Sequence, residues 1–130
     1  MSYPVAKFQI HWLTPEEGGR KSGPPPGPLY AATARFAEDA EERQFSVALN
    51  RLDKDTNTNQ WLEVELSLLF PDNLPDVVKR LVAESRLLIH EGRKVVAEGK
   101  VLSVRVIEGK SVLSYKEIKS LRPPITSANN

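Results

Sequence analysis

The sequence predicts an all-β domain, an antiparallel barrel or sandwich carrying one short helix. Three observations lead there. Several short segments alternate apolar and polar residues with period two. Ten prolines and seven glycines punctuate the chain between those segments. One stretch, at about 75–83, has helical spacing.

The first strand places Ala6, Phe8, Ile10 and Trp12 on a bulky apolar face, with Val5, Lys7, Gln9 and His11 opposite. Residues 14–28, TPEEGGRKSGPPPGP, end it in a long structured loop, because three consecutive prolines fix φ and remove backbone donors. A second strand follows at about Leu29–Phe36, with Tyr30, Ala32, Ala34 and Phe36 on one face. The acidic run 38–42 is an exposed connection. A third strand, about Arg43–Leu49, turns Phe45, Val47 and Leu49 inward. After a polar loop at 50–59, a fourth faces Leu62, Val64, Leu66 and Leu68 inward and Glu63, Glu65 and Ser67 outward.

Pro71 stops that strand, and Pro75 suits a first helical turn, with Asp72 or Asn73 as capping candidates. Val77 or Val78, Leu81 and Val82 share the face of this helix. A hairpin comes next: Arg86–His90, a turn at Glu91-Gly92-Arg93, then Lys94–Ile107. Gly99 inside the long second arm suggests a bulge or barrel corner, and the alternation changes phase near it. Beyond Gly109, Ser114 and Glu117 have capping-box spacing, and a short helix and a final strand both fit. Residues 122–130 read as a frayed tail. Sealing such a sheet into a barrel removes exposed edges.

A chain of 130 residues suits one domain. With no cysteine it has neither a disulfide framework nor a thiolate metal site, which fits the cytoplasm. Met1–Leu13 lacks the basic and apolar regions of a signal peptide, and no apolar run approaches the roughly 20 residues of a membrane helix. Lys and Arg total 18 against 17 Asp and Glu, a formal net charge of +1, without the basic excess of a dedicated nucleic-acid binder.

The candidate chemistry is sparse. Gly18-Gly19-Arg20-Lys21-Ser22 superficially suggests a phosphate loop, but such loops open a helix, and Pro24–Pro26 forbid one here. The glycines therefore serve a sharp turn, and no nucleotide is expected. His11 and His90 stand on outward strand phases without a ligand cluster, as solvated histidines, and no metal is expected. Glu16/Glu17 and Glu63/Glu65 pair acids, the latter about 7 Å apart on one strand face, and read as surface charge. Trp12 belongs to the core, whereas Trp61 starts its strand on the phase opposite Leu62 and is a candidate interface anchor. Pro24, Pro25, Pro26 and Pro28 make a rigid presentation loop suited to an aromatic groove on a partner.

Three segments together resemble the C-terminal β-barrel of elongation factor Tu: EEGGR at 16–20, VELSL at 64–68 and IHEGRKVVAEG at 89–99. The likeness spans about residues 5–104 and aligns Gly99 with a family glycine without a gap. It implies a closed six-stranded barrel that, in the family, helps hold aminoacyl-tRNA by its backbone. By that resemblance Arg20 and Gly92 stand where tRNA is contacted, and Arg93 and Lys94 add charge beside them. The departures are plain. No GTPase domain or phosphate-loop motif is present, prolines replace the aromatic residues after EEGGR, Arg93 replaces a turn glycine, and the 75–83 segment is remodelled.

The resulting expectation is a single closed, antiparallel, six-stranded barrel over residues 1–121 with a flexible tail at 122–130. It is a non-catalytic, cytoplasmic binding module without cofactor or membrane association. It contacts a protein partner through the 14–28 loop, using Arg20, Lys21, Pro24, Pro25, Pro26 and Trp61. The alternative is tRNA or other RNA, bound along its backbone by Arg20, Gly92, Arg93 and Lys94. An enzyme of unrecognised type is the distant third.

Overall fold

The computed structural model describes residues 2–23, 25, 29–51 and 61–108. Six strands close an antiparallel barrel: β1 (Ser2–Trp12), β2 (Leu29–Phe36), β3 (Phe45–Arg51), β4 (Trp61–Leu68), β5 (Arg86–Glu91) and β6 (Lys94–Glu108). Around the wall they run β1-β4-β3-β2-β5-β6, and β6 returns to β1. The expected closed barrel with one short helix, α1 (Pro75–Arg80), is present. The expectations for residues 109–121 and for the 122–130 tail lie outside the described residues.

Alternation drives the folding. Phe8, Ile10, Val47, Leu49, Leu66, Leu87, Ile89 and Val101 are fully buried and meet in one core, joined by Trp12, Phe36 and Phe45. Each comes from the inward phase of its strand, so closing the wall removes all of them from water together. Burial at this level contributes about 1.5–3 kcal/mol per large side chain.

The long β6 has two irregularities. Ile89 pairs with Ala97 but His90 pairs with Val95, and Lys7 pairs with Ser103 but Phe8 with Val101. Val96 and Leu102 are thus extra residues at β-bulges. The bulge expected at Gly99 falls at these two positions instead. Glycine is needed at position 99 for a different reason, since a Cβ there would strike the carbonyl oxygen of Gln9 and the ring of Phe8. The phase change read near Gly99 is the effect of the flanking bulges, which bend β6 around the core.

Other expectations need correction. Val5 and Ser67, read on the polar phase, are buried; they pair with each other, and Ser67 also pairs with Ala48. Small residues in that row let neighbouring groups close over the outer wall, as Leu69 and Leu29 do against Ala48. Neither Asp72 nor Asn73 caps α1, because Pro71–Asn73 form a 3-10 turn of their own and Leu74 takes the N-cap position. The helix stops at Arg80 rather than near 83, since Leu81 leaves helical backbone, with ψ 88°, and enters the core. Val82, expected on the helix's packing face, is exposed.

Because neighbouring strands alternate in direction, the ends of β1 and β3, the starts of β2 and β4 and the β5–β6 turn gather at one end. The β2–β3 loop, the connection through α1 and the start of β1 belong to the other end.

Candidate functional site

At the first of these ends the β1–β2 loop is built from its own residues. Thr14 and Glu17 form a reciprocal capping box: the Glu17 amide donates to the Thr14 hydroxyl at 3.2 Å, and the Thr14 amide donates to the Glu17 carboxylate at 2.8 Å. The Glu17 carboxyl is held below its ordinary value, first by the Thr14 backbone and hydroxyl, with a lesser pull from nearby His11. Gly18 follows at φ 94°, a left-handed conformation that favours glycine. Gly19 is buried against Leu13, where any Cβ would collide with the Leu13 carbonyl. The two glycines therefore turn the chain sharply after β1, as expected.

The loop then reaches the β5–β6 turn. Arg20 Nε donates to a Glu91 carboxylate oxygen at 2.6 Å. The Tyr30 hydroxyl donates to the same oxygen, and the Arg20 guanidinium lies 5.8 Å from the Tyr30 ring centre. Burial first, then the Glu91 carboxylate, raises the Tyr30 phenol well above its ordinary pKa, so it stays a donor. The two cationic loops converge, yet they do not present four open cations. Arg20 is committed to Glu91, and the Gly23 carbonyl accepts from its guanidinium. Arg93 is 94% exposed and pairs loosely with Glu41 at 3.6 Å. Lys21 and Lys94 are exposed and carry no ion pair among the described residues. Gly92 occupies the turn with φ 64°.

Trp61 is half exposed, as its strand phase suggested. Its ring stacks on His11, centroids 5.0 Å apart and planes 26° from parallel. Trp12 is buried and meets Tyr30 edge-on, which ties the core to the loop-bearing end. Pro25, expected as a contact residue, is buried and so belongs to the packing of the loop. Pro24, Pro26 and Pro28 lie outside the described residues.

Neither histidine is a freely solvated one. His11 is wedged between Trp61 and Glu98, its Nδ1 3.6 Å from the Glu98 carboxylate. His90 is 1% exposed. Its Nε2 accepts from Arg35 Nε at 3.0 Å, and its Nδ1 has no hydrogen-bond partner among the described residues. Burial first, then the Arg35 charge, lowers its pKa. Strand phase misses this because the short β5 ends beside a tight turn and the Arg35 side chain, which cover the outer face there.

Glu91 is the organising residue that sequence reading missed. It adjoins Gly92, but its partners are 71 and 61 residues away, a distance no local pattern carries. The Thr14–Glu17 capping box, in contrast, had a legible signal in its spacing. At the opposite end Arg80 pins α1 to the β2–β3 loop, donating to Asp39 at 2.7 and 3.2 Å and lying 4.0 Å over the Phe36 ring. A shallow depression of about 450 Å³ beside it is lined by Phe36, Glu38, Arg80, Glu84, Ser85 and Arg86.

Fold and surface define a small closed barrel with a filled apolar interior and, at one end, polar loops beside the half-exposed Trp61 of β4. No protein-family model matches the chain, and no curated protein is significantly similar to it. Among the described residues no helix is long and apolar enough to cross a membrane.

Proposed function

We propose that the chain is a non-catalytic binding module that engages a protein partner through the loop-bearing end of the barrel. The observation that carries this reading is the half-exposed Trp61 on the same end as the exposed Lys21 and Lys94. An exposed tryptophan is costly to leave in water, and tryptophan is strongly enriched among residues that dominate protein interfaces. The interior is filled by its own side chains, which leaves the outer surface to meet other molecules. The contact set is therefore Trp61, Lys21 and the outer rim of the loop; Arg20 holds the loop in shape through Glu91. The resemblance to the elongation factor Tu C-terminal barrel supports the same class of function, a barrel that docks other molecules by its loops.

The test is affinity capture with the purified chain, with and without ribonuclease. A protein retained after ribonuclease and lost with Trp61→Ala plus Lys21→Glu supports the reading. An identical set of captured proteins from the variant would overturn it.

Convergence of the Arg20 and Gly92–Lys94 segments favours a second reading, contact with an RNA backbone. Such contact is salt-sensitive and independent of base sequence. It predicts a tRNA gel shift at low salt that weakens with Lys21→Ala plus Lys94→Ala. Neutralisation of Arg20 by Glu91 removes one cation from that surface, which is why the protein reading stands first.

A further inference from the structure

β6 runs on past both strands that flank its ladder with β1. Its pairing with β5 ends at Lys100. Just beyond, the Val101 amide donates to the Ser85 carbonyl and the Val101 carbonyl accepts from the Glu84 amide, both at 2.8 Å. From there to Glu108, β6 pairs with β1 alone, and β4 leaves β1 after the Val5–Ser67 pair. Ser2–Pro4 and Val106–Glu108 therefore form a two-stranded ribbon beyond the last β4 and β5 pairs. The Val101 peptide groups point away from β1. The extra residue at Leu102 shifts the phase by one, so those of Val104 and Val106 point the same way. Among the described residues no strand runs beside them on that side. Val104 packs on the core, whereas Val106, on the same face, lies beyond it and is 66% exposed. The ribbon's other edge differs. Pro4 is opposite Val106, in a pair whose peptide groups both point outward, and Pro4 has no N–H to offer.

An open row of peptide groups is complemented by another extended backbone. A second copy of this chain supplies one, because two β6 edges related by a two-fold axis run antiparallel and match like with like. The side chains select the register. With Arg105 on the axis, two guanidinium groups would stand directly opposite, which is unfavourable. With Val106 on the axis, each exposed valine covers the other and Arg105 comes opposite Ile107. Glu65 already neutralises Arg105 at 2.8 Å, so no bare charge is brought to the seam. Pro4 blunts the other edge of the ribbon, so the pairing closes at two copies and does not propagate. We propose that the chain forms a reversible two-fold dimer through the Val104–Val106 edge of β6, with Val106 on the axis. The dimer is weak and concentration-dependent, since a ladder this short falls below the roughly 1,200 Å² of stable interfaces. It uses the end of the barrel opposite Trp61 and leaves that surface open.

The chain has no cysteine, so a single introduced one reports only its own surroundings. The experiment is sedimentation equilibrium of the full chain from micromolar to millimolar concentration, joined to oxidative crosslinking of Val106→Cys and, separately, of Ser103→Cys. In the paired edges the two Val106 Cα atoms stand about 5.5 Å apart, within disulfide reach, and the two Ser103 Cα atoms about 20 Å apart. The expected result is a weight-average mass that climbs from one chain toward two. Val106→Cys crosslinks at least about tenfold faster than Ser103→Cys. Val106→Pro removes the outward N–H, and Val106→Lys sets like charges on the axis. Both variants stay monomeric over the same range and keep the far-ultraviolet dichroism of the parent; the lysine variant keeps the test decisive if proline disturbs the strand. The proposal is overturned if the parent stays monomeric at millimolar concentration, if the two cysteines crosslink at equal rates, or if Val106→Lys dimerises as the parent does.

Discussion

A histidine sealed beneath a hairpin turn and touching an arginine resists taking up a proton. His90 is in that position: burial and the Arg35 charge both disfavour its imidazolium form. The Arg93 backbone at the adjoining turn, and then the Glu41 charge, oppose them only in part. Because the folded-state pKa lies below the ordinary value of 6.5, the unfolded chain binds the proton first as pH falls. The stability from neutral His90 is complete above pH 6.5 and is lost as pH drops through the lower folded value. We predict that urea midpoints fall from pH 7.5 to 5, and that His90→Gln, which cannot titrate, shows a shallower fall. One proton gives at most about 1.4 kcal/mol per pH unit. Equal slopes in parent and variant would remove His90 as the cause.

Gly99 allows a second prediction at this scale. Gly99→Ala drives a methyl group into the Gln9 carbonyl and the Phe8 ring, which requires β1 and β6 to part. The expected cost is at least about 1–3 kcal/mol, read from chemical denaturation. The need for glycine there was legible from its place inside a strand, whereas its collision partners were not, since they belong to the far end of the sequence.

The β1–β2 loop and the β5–β6 hairpin behave as one clamp. Glu91 takes the donors of Arg20 and Tyr30 on a single carboxylate oxygen. Glu91→Gln removes the charge and leaves a poorer acceptor. We expect faster amide exchange at residues 18–23 and little change in global stability, within about 1 kcal/mol, because the Glu91 end of the pair is open to solvent. Unchanged exchange would mean that the Thr14–Glu17 capping box alone orders the loop.

The connection through α1 shows how a local signal loses to a neighbouring one. Asp72 and Asn73 have capping chemistry, but Pro71 starts a 3-10 turn that absorbs both. Leu74 then caps the helix while packing on the core, so burial rather than side-chain capping sets the helix start. The bulges at Val96 and Leu102 are likewise decided by the wall that β6 must follow.

Over the whole molecule, β1 closes the barrel, pairing with β4 along one edge and β6 along the other. Phe8 lies at its centre and is fully buried. Phe8→Ala is expected to cost about 3–5 kcal/mol, with fluorescence and far-ultraviolet dichroism tracing the same transition. Separate transitions would show that the two halves of the wall fold independently. Trp61→Ala tests the reverse property. Its exposed half should make the variant fold nearly as stably as the parent while losing partner capture; a loss of stability matching that of Phe8→Ala would assign Trp61 to the core.

The sequence by itself determined the strands, their inward faces, the hairpin turn at Gly92 and the prominence of Trp61, because each is written in neighbouring residues as alternation, punctuation or phase. Tertiary structure alone decided that Glu91 would disarm Arg20, that Pro25 and His90 would be buried, and that His11 would stack on Trp61. Those outcomes depend on which strands become neighbours around the wall. Closure sets Ser2 beside Glu108 and Arg20 beside Glu91, and burial and charge pairing act on distance in space, to which a local sequence pattern is blind.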